Sequence, residues 1–209
     1  QGGHVASVEC LILYQADVYS VDAQGFTPLM HAAVYNHTSV VQLLLENSCD
    51  LNDTNKEGAT ALHLASEKGH KETTQLLVSW GADVELGDKN GMTALMYAAR
   101  AGHANIVDLL VECDAQIDQQ CQAGRTALLY AVKENQLASA DMLCNKGANV
   151  SHCDQSGRVP LQIAVQSGFR EVTELLINRN ADSEIIVASK KRSIFCCLSH
   201  VPVWIVFLH

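Results

Sequence analysis

Apolar residues along this chain gather in short clusters of two alternating kinds. One is Ala-rich and compact, as in Ala94-Leu95-Met96-Tyr97-Ala98-Ala99. The other sets aliphatic residues at helical spacing, as in Ile106, Val107, Leu109 and Leu110. Both predict short helices with one face turned to a core. The polar stretches between them carry the signals that start and stop helices. Thr27, Thr60, Thr93 and Thr126 stand where an N-cap hydroxyl accepts the unpaired amides of a first turn, and Pro28 and Pro160 occupy the next position, which needs no N–H. Gly69, Gly102 and Gly168 follow the Ala-rich clusters as C-caps, and Asn36 and Asn135 replace Gly at the same point. Val159 replaces the capping Thr, so the helix after it is expected to begin less firmly.

The same string returns at a fixed interval. Gly25-Phe26-Thr27-Pro28-Leu29 recurs as Gly58-Ala59-Thr60-Ala61-Leu62, Gly91-Met92-Thr93-Ala94-Leu95, Gly124-Arg125-Thr126-Ala127-Leu128 and Gly157-Arg158-Val159-Pro160-Leu161, each 33 residues after the last. A constant period of this length is the signature of a repeat architecture. Ahead of each Gly comes an Asp or Asn with two polar residues, as in Asp88-Lys89-Asn90-Gly91, which predicts a tight turn.

Thr60-Ala61-Leu62-His63-Leu64-Ala65, Gly69-His70 and Gly81-Ala82-Asp83-Val84 resemble the ankyrin repeat signature, and the likeness spans residues 3–184. The signature His stands only at His63; Met30, Met96, Leu129 and Gln162 take its place elsewhere. The resemblance implies an all-α solenoid of helix-turn-helix units joined by short hairpin turns. The expected units are residues 19–51, 52–84, 85–117, 118–150 and 151–184, preceded by a partial unit, 1–18, that holds a second helix only. Gly3-His4 aligns with Gly69-His70, so the chain opens inside a repeat. The pattern fails after Glu184, and the apolar tail 185–209 is expected to be poorly ordered and is broken by Ser199, His200 and Pro202, too interrupted to span a bilayer.

The composition narrows the function. Hydrophobic residues make up 48% and charged residues 18%, enough for a core, while a formal net charge of −9 argues against nucleic-acid binding. Eight cysteines show neither a disulfide framework nor zinc-ligand spacing, so reduced thiols in the cytosol or nucleus are expected, and no metal or cofactor. Cys10, Cys49 and Cys144 fall at core positions, and His37, His70 and His103 at second-helix starts, where their rings are expected to bond local backbone. No nucleophile elbow, phosphate loop or zinc-protease motif occurs, so no catalytic residue is assigned.

What remains is a binding surface. In a solenoid the stacking fixes the core and the variable positions of one concave face do the binding. By resemblance that face comprises the turn tips and the exposed side of each first helix. Its candidate contacts are Phe26, Tyr35, Lys56, Lys68, Lys89, Met92, Arg100, Arg125, Lys133 and Arg158. Seven basic residues there stand against three acidic ones in a chain of net charge −9, which points to an acidic or phosphorylated segment of a partner protein. Phe26 and Tyr35 would add an apolar anchor at one end. The expected role is an adaptor or scaffold. Two other readings stand beside it: a membrane-attached adaptor anchored by Lys190-Lys191-Arg192, Cys196-Cys197 and the apolar tail, and a regulatory fragment of an enzyme whose catalytic part lies outside this chain.

Overall fold

The computed structural model describes residues 5–14 and 16–179, and the expectations placed on the tail fall outside them. Among the described residues there are helices and turns and no strand. A lone helix, α1 (Val5–Leu13), precedes five helix pairs: α2 (Pro28–Val34) with α3 (Thr38–Glu46), α4 (Ala61–Lys68) with α5 (Lys71–Ser79), α6 (Ala94–Ala101) with α7 (Ala104–Glu112), α8 (Ala127–Lys133) with α9 (Leu137–Asn145), and α10 (Pro160–Ser167) with α11 (Arg170–Asn178). The first helices stack in one row and the second helices in another, each packing on its predecessor and on its partner.

The capping chemistry explains the short first helices. Thr27, Thr60 and Thr126 accept the amides of Met30, His63 and Leu129. Thr93 sits at the N-cap without such a bond, and so does Val159. Gly69, Gly102 and Gly168 close their helices in the left-handed conformation, and Asn36 and Asn135 adopt it at φ 56° and 55°. Asn tolerates that region better than most side chains.

Between the rows lies a continuous core in which one alanine, Ala32, Ala65, Ala98, Ala131 or Ala164, recurs buried in every first helix. The absence of a longer side chain lets the helices approach. The matching second-helix residue is a leucine, Leu44, Leu77, Leu110, Leu143 or Leu176, at most 2% exposed. At about 25 cal/mol per Å² of apolar surface withdrawn from water, each such leucine contributes roughly 2–3 kcal/mol.

Successive hairpin tips are tied by backbone bonds. Lys56 N–H donates to Gln24 O at 3.1 Å, Lys89 to Glu57 at 3.0 Å, Gln122 to Asn90 at 2.8 Å and Gln155 to Ala123 at 3.1 Å. Gly58 shows how close the tips come: a Cβ there would lie 2.6 Å from Lys89 N, and its φ of 83° disfavours any other residue. Histidines add a second tie. His70 and His103 donate through Nε2 to the carbonyls of Val34 and Glu67, both at 2.9 Å. These partners lie in the preceding repeat and not in the local backbone, because the second helix starts beside the end of the previous first helix.

Candidate functional site

The candidate surface is built on the hairpin tips and the solvent side of the first helices. In four of the five turns an Asp or Asn organises the tip through its side chain. Asp88 Oδ1 accepts from Asn90 N and Met92 N, both at 2.8 Å, and Asp22, Asn55 and Asp154 repeat the pattern. Each tip is thereby held rigid before any partner arrives.

Lys56 and Lys89 stand exposed on adjacent tips, one repeat apart and joined by the backbone ties above. Lys68 is exposed at the end of α4, at the position held by exposed Tyr35 in the preceding repeat. Among the described residues these three lysines make no ion pair. The other four basic candidates are paired within the chain. Arg100 reaches Glu67 at 2.7 Å and lies 4.7 Å over the Tyr97 ring. Lys133 lies 3.7 Å from Glu134. Arg125 and Arg158 converge on Asp154 at 3.6 Å and 2.8 Å.

Asp154 is the residue that sequence reasoning undervalued. Its side chain is only 1% exposed. Burial alone would raise its carboxyl, but the Arg158 guanidinium and the amides of Arg158 and Ser156 outweigh that and hold it below the ordinary carboxylate value. The available signal was positional: a basic residue just after the turn Gly lies beside a turn Asp.

Met92 is a correction. It was expected on the surface and is 5% exposed, packed into the core. The position after the turn Gly faces inward, as Ala59 at 1% also shows. His63 holds Met92 there, donating from Nε2 to its carbonyl at 2.9 Å while Nδ1 accepts the Thr60 N–H at 3.2 Å. Phe26, at the same tip position, is half-buried with its ring 5.3 Å from that of His31. Tyr35 is 45% exposed and stacks on His37 at 6.2 Å.

The cysteines divide. Cys121 is buried, Cys49, Cys113 and Cys144 are half-buried, and Cys10 and Cys153 are exposed; all six are free thiols. Cys10 therefore departs from the core expectation, since nothing described covers that side of α1. Burial pushes the Cys49 and Cys144 thiols up, opposite to what a reactive thiolate needs. Among the described residues no group of three or more His, Cys, Asp or Glu is placed to hold a metal ion, and no helix is long and apolar enough to cross a membrane.

Fold and surface together define a helical repeat solenoid with a rigid, side-chain-variable face. A family model described as Ankyrin repeats (3 copies) matches residues 1–88, 81–154 and 115–187. The chain belongs to the ankyrin repeat family, whose arrays are generally protein–protein interaction modules and typically non-catalytic. A search of curated proteins found no match.

Proposed function

We propose that the chain is an interaction module, of adaptor or scaffold type, that takes an acidic or phosphorylated partner segment along its tips and first helices. Residues 19–51, 52–84, 85–117, 118–150 and 151–184 serve as its repeat units. The observation that carries this reading is the pair Lys56 and Lys89. Both are exposed on tips locked to one another and make no ion pair among the described residues, so their charge is available to an incoming carboxylate or phosphate. Arg100, Arg125, Lys133 and Arg158 contribute less to the field, because Glu67, Asp154 and Glu134 already offset them. Tyr35 and Lys68 extend the same face, with the tyrosine as anchor.

The test uses panels of acidic, phosphorylated, neutral and basic peptides at two salt concentrations. Wild type is expected to favour the acidic and phosphorylated sets, more so at low salt, because exposed charges act across about 10 Å at 0.1 M salt. Lys56→Glu with Lys89→Glu is expected to abolish that preference. A wild-type chain that does not distinguish acidic from basic peptides sinks the reading.

A further inference from the structure

We propose that the groove between α1 and α2 seats one more helix of the first-helix type, antiparallel to α1 and belonging to the same polypeptide and the same repeat as α1. Two faces call for it independently. On α1, Leu11 is 57% exposed, whereas its counterparts at each later repeat, Leu44, Leu77, Leu110, Leu143 and Leu176, are at most 2% exposed. In every later repeat that leucine is covered by the first helix of its own pair. Ala16 is likewise exposed where Ala82, Ala115 and Ala148 are 7% exposed. On α2, His31 is exposed where Leu64, Tyr97, Tyr130 and Ile163 are 7–9% exposed beneath the preceding first helix.

One object satisfies both faces: a helix lying beside α1 and ahead of α2. Its chemistry follows from the helices that fill the same slot later. They are seven or eight residues long, with a leucine second and a buried alanine fifth, as in Pro28-Leu29-Met30-His31-Ala32 and Ala61-Leu62-His63-Leu64-Ala65. The sequence names the source. Gly3-His4 stands in the register where Gly69-His70 joins α4 to α5 and Gly102-His103 joins α6 to α7. Leu11 in the outer face also lacks the polar replacement that an end-capping repeat needs for solubility.

The test is a fusion that restores the helix. A copy of residues 85–99 placed ahead of Gln1 continues the register into Gly3. Four proteins are compared by urea unfolding: the chain and the fusion, each with and without Leu11→Ala. The fusion is expected to unfold at higher urea. Leu11→Ala is expected to leave the chain unchanged and to lower the fusion's midpoint as much as Leu77→Ala does. A fusion carrying one extra residue at the junction is expected to lose the gain. A Leu11→Ala that stays silent in the register-true fusion overturns the proposal. So does sedimentation showing a dimer of the unfused chain that Leu11→Glu dissolves, since a second copy would then occupy the groove. The intact mass of the native polypeptide decides the source: no additional residues ahead of Gln1 would also overturn it.

Discussion

Cys121 and Tyr130 reproduce with sulfur a contact that Asp88 and Tyr97 make with oxygen. The Cys121 sulfur lies 3.4 Å from the Tyr130 hydroxyl, while one repeat earlier the Tyr97 hydroxyl donates to Asp88 Oδ2 at 2.9 Å. Burial, with the thiol beside it, pushes the Tyr130 hydroxyl up to about 12. The thiol gives the tip less than a carboxylate does, because sulfur is a weak acceptor and offers no second oxygen to the amides of residues 123 and 125.

Cys121→Asp is therefore expected to stabilise the chain. It restores the acceptor that Asp88 provides to Asn90 N and Met92 N, and it sets a carboxylate near Arg125. A gain of about 1–2 kcal/mol in urea unfolding fits two added hydrogen bonds, less the cost of a buried charge. Cys121→Ala should change stability much less. A loss for the Asp variant would show that the tip has relaxed around sulfur.

The converse holds at Asp154. Its Oδ1 takes the amides of Ser156 and Arg158, and its Oδ2 takes the Arg158 side chain. Asp154→Ala is expected to cost about 2–3 kcal/mol, since it strips a tip of its organiser and leaves two guanidinium groups unmatched. Arg158→Ala alone should cost less, because Arg125 remains.

His63 makes the fold sensitive to acid. Desolvation lowers its pKa, and although the Met92 carbonyl and Asp88 favour the charged ring, burial prevails. The Thr60 N–H can only donate, so Nδ1 must be unprotonated in the folded state. A folded value below the ordinary 6.5 means that the unfolded chain binds the extra proton first. The contribution is complete above 6.5 and is lost as pH falls through the folded value. Melting curves at about pH 7.5 and 5 should show wild type losing more than His63→Leu, which places there the residue already buried at Leu129. Equal losses would mean that His63 is not responsible.

The α8–α9 pair is expected to open before α6–α7. Ser139 and Ala140 stand where α7 buries Ile106 and Val107, so less apolar surface is withdrawn from water. The Ser139 hydroxyl is also buried without a hydrogen-bond partner among the described residues. Amides of α8 and α9 should exchange faster than those of α6 and α7, and Ser139→Ala should narrow the gap by about 1 kcal/mol. Slower exchange in α8 and α9 would contradict this account.

Charge reversals on the binding face will separate encounter from folding. Arg100→Glu sets a carboxylate against Glu67 and removes the guanidinium over Tyr97, so it should cost stability, about 1 kcal/mol. Lys56→Glu and Lys89→Glu break no ion pair and should leave the melting curve nearly unchanged while slowing association. Tyr35→Ala should speed dissociation, by about 1–2 kcal/mol if the ring is covered in the complex. A reversal at Lys56 and Lys89 that leaves the association rate unaltered would place the partner elsewhere.

The register was plain in the sequence because Gly25, Gly58, Gly91, Gly124 and Gly157 each meet a backbone demand that few residues satisfy, and all five have positive φ. The same logic announced Asn36 and Asn135 as C-caps. Period alone could not show which way the side chain after the turn Gly points. Met92 and Ala59 turn inward there, while Phe26, Arg125 and Arg158 are half-buried. Nor could composition show which cations are already spent. Arg125 finds its partner 29 residues on, a distance fixed by stacking and not by any local pattern. His70 and His103 bond a neighbour's backbone for the same reason.

The backbone ties between tips also govern how the molecule would yield under tension. Each links one repeat to the next with a single N–H and carbonyl, so a pull on the two ends loads a series of similar junctions. None of them braces a distant part of the chain. Such a body gives way in steps, each freeing one period of 33 residues. At about 3.4 Å per extended residue, every step releases roughly 110 Å of contour length. Stretching a single molecule would record a sawtooth of that spacing, its lowest tooth belonging to the pair with Ser139 at its joint.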